Sequence, residues 1–275
     1  MAHTYDLKET LLTLDNLCLS LGGHAVLSGV NACVRNVVRP GVLQGQVVGV
    51  LGPSGVGKTQ LFRLLSGLTR PDQGRVLVGS KQVPVARGNV GVVAQAYPLF
   101  EHYTMLQNLI VAARQAGLTK SDARAQAQRM LDRFGLGEHA SDYPATLSGG
   151  QRQRAAIAQQ LIHPKPLLLM DEPFSGLDLT MVHEVCVLLR ELSQKDEELT
   201  IVIVSHDITA TLCVADTLWL LGRPPSTSPT AAREGARIVH TIDLMERGLA
   251  WHPDVIHCPA FEPTKREIEQ QFATL

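Results

Sequence analysis

The stretch Gly52-Pro53-Ser54-Gly55-Val56-Gly57-Lys58-Thr59 constrains this chain more than any other. It follows an apolar run, Val47-Val48-Gly49-Val50-Leu51, that reads as a buried strand. It precedes Gln60-Leu61-Phe62-Arg63-Leu64-Leu65-Ser66, whose apolar residues recur at helical spacing. Strand, glycine-rich turn and helix form the context in which the G-x-x-x-x-G-K-[ST] pattern binds phosphate. Glycines let successive backbone N–H groups converge without Cβ clashes, and the new helix adds the positive end of its dipole. Lys58 is then expected to reach the β- and γ-phosphates, and the Thr59 hydroxyl to ligate Mg²⁺.

The 275 residues suffice for one large domain or two small ones, and 45% hydrophobic content supports a core. A formal net charge of −1 argues against a general polyanion binder, so no nucleic-acid partner is expected. The longest apolar runs, such as Leu167 to Met170 and Ile201 to Val204, are too short to span a bilayer. The first residues carry neither a basic nor an apolar segment of a signal peptide. Five scattered cysteines (18, 33, 186, 213, 258), with no C-x-x-C spacing, read as reduced packing residues of a cytoplasmic protein.

Taken in order, Leu11 to Leu19 alternates like a half-buried strand, and Ala25 to Val34 reads as a second. Arg35 to Gln46, with Arg39-Pro40-Gly41, reads as a loop or hairpin tip. Arg75 to Val78 and Asn89 to Gln95 read as strands, the latter ending on the Gln95 amide. Thr104 is placed to cap a helix over Met105 to Arg114, and Thr119 or Ser121 the next, to Phe134. Leu147-Ser148-Gly149-Gly150-Gln151 opens a helix over Arg152 to Ile162. The mostly helical stretch 97–163 looks like an insertion into an α/β sheet. Strands then follow at Leu167 to Met170, Thr200 to Val204, Thr217 to Leu221 and Arg237 to Leu244. Helices are expected over Met181 to Leu192, Ile208 to Ala215 and Lys265 to Phe272, and Arg223 to Gly235 reads as a flexible loop.

A phosphate loop needs a carboxylate for the metal shell, and Asp171 ends a neighbouring apolar strand. Glu172 follows it and, on a turning backbone, would face an attacking water as general base. His206 ends the next strand, where an imidazole would meet the γ-phosphate, since ligands gather at the carboxyl ends of parallel strands. Gln95 would contact Mg²⁺ or the water. Ser148 before two glycines offers a hydroxyl, exposed N–H groups and a helix N-terminus, a second anion-binding cap on the same chain.

Together these residues resemble the ATP-binding cassette (ABC) ATPases, the nucleotide-binding subunits of ABC transporters. Gly52 to Thr59 resembles the Walker A motif, Gln95 the Q-loop, Leu147 to Gln151 the signature motif, and Leu167 to Glu172 the Walker B strand with its catalytic glutamate. Ser175 to Asp178 resembles the D-loop and His206 the switch histidine. The resemblance covers residues 11–245. It implies an α/β fold, a P-loop NTPase (RecA-like) core with an antiparallel β subdomain and an inserted α-helical subdomain. Within a single ABC ATPase domain, the core with its β subdomain would take residues 11–95 and 164–222. The helical subdomain would take 96–163, and a C-terminal strand and tail 223–275.

The resemblance further implies ATP and Mg²⁺ as bound groups. The expected ATP contacts are Leu21, Gly52 to Gln60, Ser148 to Gln151 and Asp178. The metal contacts would be Thr59, Gln95 and Asp171; the catalytic residues Lys58, Gln95, Glu172 and His206. Two cassettes, identical or paired with a second kind, would dimerise head to tail on ATP, so that Ser148 to Gln151 of one caps the nucleotide held by Lys58 of the other. The cycle would drive integral membrane permease subunits, docked on about Ala96 to His139, with a solute-binding protein as a further partner. The chain would then sit peripherally on the cytoplasmic face of the cell membrane. Gln95 to His102 and the strand after Gly222 most resemble the nitrate/sulfonate/taurine importer group, implying import of a small anion or organic solute.

Three positions depart from the family pattern. Leu21 stands where an aromatic usually stacks on adenine, leaving apolar contact from Leu21 or Val26. Gln60 replaces a small hydroxyl residue near the α-phosphate, and Arg35 to Gln46 is longer than usual. The alternatives are a soluble ABC ATPase acting on nucleic acid or ribosomes, and a cassette that only binds ATP as a regulatory module. The first lacks the expected tandem or coiled-coil insertions, and retained Lys58, Glu172 and His206 argue against the second.

Overall fold

A computed structural model describes residues 5–96, 98–163, 165–194, 196–223, 234–252 and 254–272. The chain opens with a long hairpin, β1 (Asp6–Leu21) and β2 (His24–Val38), closed by a turn whose Gly22 and Gly23 take φ of +57° and +80°. β4 (Gln73–Val78) pairs antiparallel on the far side of β1, and β5 (Val83–Pro84) pairs with β4. The four make one sheet in the order β2-β1-β4-β5.

The second sheet has six strands in the order β10-β9-β3-β8-β7-β6. These are β3 (Gln46–Leu51), β6 (Gly91–Val93), β7 (Leu167–Asp171), β8 (Thr200–Val204), β9 (Thr217–Gly222) and β10 (Arg237–Asp243). All neighbours are parallel except β10, which runs antiparallel to β9. Both faces of the parallel strands are buried, so their sequences are continuous apolar runs rather than alternating ones. Successive side chains still divide between two cores. Ile201, Ile203, Leu168 and Met170 pack with the inserted helices; Val202, Val204, Val48 and Val50 pack with α1 (Lys58–Leu65) and the antiparallel sheet.

Between β6 and β7 lie α2 (Met105–Gln115), α3 (Lys120–Arg133) and α4 (Gly149–Gln160). Thr104 and Ser148 cap α2 and α4 through reciprocal boxes with Gln107 and Gln151, while Thr119, not Ser121, caps α3. After β7 come α5 (Leu179–Ser193) and α6 (Ile208–Leu212). The last helix, α7 (Phe261–Phe272), joins β10 and α6 in a third cluster around Leu51, Leu218 and Leu220.

Several boundaries differ from the sequence reading. Arg35 to Val38 is strand, not loop, because β1 begins at Asp6 and gives β2 a partner beyond Val34. Only residues 39–45 connect to β3, with Gly45 N–H bonded to the Ser193 carbonyl. The expected Asn89–Gln95 strand shrinks to three residues, since β6 is an edge strand whose pairing stops at Val93 opposite Met170. Gln95 therefore sits in a turn two residues beyond it. α6 stops at Leu212 rather than Ala215, as the chain must enter β9 through Asp216 N–H bonded to the Val47 carbonyl at 2.7 Å. α7 starts at Phe261, which is buried, with Pro263 tolerated in its first turn. Cys33 is exposed and does not pack, whereas burial pushes the Cys186 thiol up to about 12 and that of Cys213 up to about 11. Most of the stretch 223–235 read as a loop, residues 224–233, lies outside the described residues.

Candidate active site

The carboxyl ends of β3, β7 and β8 meet at a cavity of about 560 Å³. β3 runs into the glycine-rich turn. Gly52 must lack a side chain, since a Cβ there would lie 2.5 Å from the Leu221 carbonyl oxygen. Gly55 and Gly57 take φ of +75° and +121°, backbone that L side chains rarely adopt. Val56 is buried beneath the loop. α1 begins with no side-chain cap on its first turn, the arrangement that offers N–H groups to an anion.

Ser54, Gly55, Gly57, Lys58, Thr59 and Gln60 line one wall of the cavity. Lys58 Nζ bridges the turn, donating to the Gly52 carbonyl at 2.6 Å and the Pro53 carbonyl at 3.2 Å. Partial burial holds its pKa below the ordinary lysine value, opposed by the charges of Glu172 and Asp171. Leu21 and Val26, from the tip of the first hairpin, form an apolar rim. Leu21 is 45% exposed, so a flat hydrophobic ligand resting there would gain burial.

The opposite wall holds Gln95, Asp171, Glu172 and His206. Asp171 is the last residue of β7; burial pushes its pKa up, the Glu172 charge adds to this, and Lys58 opposes it. Glu172 takes φ +49°, so the backbone swings it away from Asp171. Three groups converge on its Oε2: His206 Nδ1 at 2.8 Å, and His206 N–H and the Ser205 hydroxyl at 3.3 Å each. Gln95 Nε2 donates to the Ser175 hydroxyl at 3.3 Å.

The remaining expected residues lie elsewhere. Pro53 contributes its carbonyl to Lys58 but does not line the cavity. Ser148, Gly149, Gly150 and Gln151 start α4 outside the cavity, with Ser148 exposed. Asp178 is exposed as well and caps α5 by accepting from Met181 N–H at 3.0 Å. Ser205 escaped the sequence reading, although a hydroxyl directly after an apolar strand was a visible signal. Gln153 also escaped it: fully buried, it donates to the Pro173 carbonyl at 2.8 Å and ties α4 to the turn after Glu172. Nothing in its local sequence distinguishes it from an ordinary helix glutamine.

The donor set fits a nucleoside triphosphate with a hard divalent cation. Backbone N–H groups and the Lys58 ammonium would meet phosphates, and Thr59, Gln95 and Asp171 carry oxygen atoms that would suit a cation beside them.

A family profile described as ABC transporter matches residues 36–175. An Fe(3+) ions import ATP-binding protein of Brucella abortus is 40% identical over 213 residues, covering 76% of this chain and 58% of that protein. An uncharacterized ABC transporter ATP-binding protein of Mycobacterium tuberculosis is 35% identical over 243 residues, 81% of this chain and 70% of that one. Among solved structures, a cbiO1 protein from Clostridium perfringens, part of the ABC transporter complex cbiONQ, superposes with a TM-score of 0.71. It shares 25% identity over 95% of this chain and all of that one. The chain thus spans about 58% of the iron-import relative's length. These relatives lend no support to the nitrate/sulfonate/taurine grouping. The folds agree in their mixed α/β core, and the chain belongs to the ABC transporter family.

Proposed function

We propose that this chain is an ATP-hydrolysing nucleotide-binding subunit that powers solute transport by separate transmembrane subunits. The observation that carries the reading is the meeting of Lys58, Thr59, Gln95, Asp171, Glu172 and His206 around one cavity. The phosphate turn and Lys58 hold the triphosphate, and Leu21 with Val26 supports the base. Thr59, Gln95 and Asp171 hold Mg²⁺, which when bound neutralises charge on the transferring phosphoryl group. Glu172 aligns and deprotonates the attacking water, and His206 reads the γ-phosphate.

The Ser148–Gln151 turn, with Ser148 exposed, does not line its own chain's cavity, which favours a head-to-tail dimer in which each copy caps the other's nucleotide. Asp178, exposed at the start of α5, belongs to that same face. The chain divides in this reading into a core (11–95 and 164–222), a helical subdomain (96–163) and a C-terminal strand and tail (223–275); the insertion of α2, α3 and α4 between β6 and β7 supports the helical part.

Among the described residues no helix is long and apolar enough to cross a membrane. In this reading translocation is the work of separate permease subunits. Exposed Phe100 and Tyr103, beside a cavity of about 420 Å³ under α2, suit their docking. In this reading the chain sits peripherally on the cytoplasmic face of the membrane. The name of the Brucella relative, an Fe(3+) ions import protein, favours import. A solute-binding protein is a further partner in this reading. Cargo here is a small solute contacted by other subunits.

The decisive experiment uses purified protein carrying Glu172→Gln with MgATP. ATP-dependent dimerisation, together with hydrolysis by the unmodified chain, supports the reading. Failure to bind ATP, or no dimer with hydrolysis blocked, overturns it.

A further inference from the structure

A chain of hydrogen bonds runs through the turn that precedes α4. Ser148 N–H donates to Gln151 Oε1 at 2.8 Å, and Gln151 N–H returns to the Ser148 hydroxyl at 3.3 Å. The Gln151 side-chain oxygen is therefore committed to the cap. Its Nε2 lies 2.8 Å from Nε2 of His139, and Nδ1 of His139 lies 2.7 Å from Asp142 Oδ2.

Donor arithmetic fixes the imidazole. An amide nitrogen only donates, so His139 Nε2 must accept, and the ring proton must sit on Nδ1 facing the carboxylate. A second proton on the ring would set two donors face to face. Turning the Gln151 amide over to offer its oxygen would set its NH₂ against Ser148 N–H. Either way the brace or the cap loses a bond. Asp142 is the ion-pair partner of His139 among the described residues, and Glu138 its chain neighbour. α4 presents Gln151, while α2 meets this turn through the N–H groups of Met105 and Leu106.

We infer that His139 is a positioning residue for the signature turn: neutral, it holds Gln151 and hence Ser148 in the shape that meets a partner's nucleotide, and protonated, it releases them. This rests on the proposed role of Ser148–Gln151 as the cap on a partner's ATP. It makes the nucleotide sandwich sensitive to acid at a point outside the cavity that Lys58 lines.

The test compares unmodified protein, His139→Gln and His139→Leu. A glutamine can present an amide oxygen to Gln151 but does not titrate, and leucine offers no acceptor. Because the glutamine keeps its acceptor at every pH, the turnover ratio of His139→Gln to the unmodified chain should rise severalfold as the pH falls from about 7.5 to about 5.5. His139→Leu should lower turnover severalfold at pH 8, with glutamine restoring it. In ¹⁵N-labelled unmodified protein, His139 should be the Nδ1–H tautomer, and the Ser148 and Gln151 amide signals should titrate together with the ring. A pH-independent ratio, or amides that ignore the ring's protonation, overturns the inference. The amide titration needs no hydrolysis. A chain that binds no ATP would thus sink the functional reading separately from the brace.

Discussion

The Glu172 carboxylate and the His206 imidazole are joined at 2.8 Å, and the same carboxylate oxygen receives His206 N–H and the Ser205 hydroxyl. The ends of β7 and β8 are thereby tied through one atom. Glu172 N–H is itself bonded to the Val204 carbonyl at 2.8 Å, which fixes the turn at φ +49°. A ligand that draws the imidazole toward the phosphate turn must take it from this carboxylate. If Glu172 is the base and His206 meets the γ-phosphate, as proposed, exposing the one and engaging the other would be a single motion.

Glu172→Gln keeps the shape and an oxygen for these three donors but removes the base. Turnover should fall by about 10²- to 10⁴-fold, the usual range for losing a general base. Nucleotide affinity should hold within a fewfold. Phosphate release at saturating MgATP, paired with equilibrium binding of labelled ATP, checks both. Normal turnover would remove Glu172 from its assigned role.

Lys58→Ala removes the ammonium that lines the cavity among the described residues. Hydrogen bonds to charged groups contribute about 1.5–3 kcal/mol each, so ATP affinity should fall roughly ten- to a hundredfold. The fold should survive, because Lys58 is only partly buried and its bonds are to two loop carbonyls. Calorimetric titration with ATP and a thermal melt would separate the two effects.

Arg39→Ala tests what the longer stretch between β2 and β3 does. The Arg39 guanidinium lies 4.5 Å over the Trp251 ring, and its Nη1 donates to Gln44 at 2.9 Å. The stretch thus clasps the segment after β10 to the base of the sheet. Loss of a partly desolvated cation–π contact should cost about 1 kcal/mol. The denaturation midpoint should drop while ATP turnover stays unchanged, since the clasp lies by the start of β3 and the cavity at its end.

The sequence carried the cavity well because its parts are local. A glycine-rich turn between an apolar strand and a helix, and a carboxylate pair ending a later apolar run, each declare themselves within a few residues. Helix starts were equally legible where Thr104, Thr119 and Ser148 supply a side-chain oxygen. What escaped depends on distant partners. Arg35 to Val38 looks like a loop until Asp6 and Leu7 lie beside it. Gln95 looks like a strand end until the edge position of β6 shortens the pairing. His139 and Gln153 sit in unremarkable sequence, and only packing brings them to Gln151 and Pro173.

Asp216 gives the fold a dependence on pH. Burial pushes its carboxyl up to about 7; bonds from Val47 N–H and the Trp251 side chain oppose this, Asp243 adds to it and Arg39 opposes it. Below about pH 4 the group is protonated in both folded and unfolded chains, and its contribution is intact. From about 4 to about 7 the unfolded chain gives up the proton while the folded chain keeps it, so the folded state binds more protons and stability declines as pH rises. Above about 7 the loss is complete and levels off. Asp216→Asn retains an oxygen for Val47 N–H, which Asp216 Oδ2 accepts at 2.7 Å, and removes the titration. The variant should match the unmodified chain at about pH 4, where Asp216 is still protonated in both states, and exceed it in stability at about pH 8. Urea midpoints at the two pH values decide it: parallel shifts in both proteins would mean that the buried carboxylate is not the group that titrates.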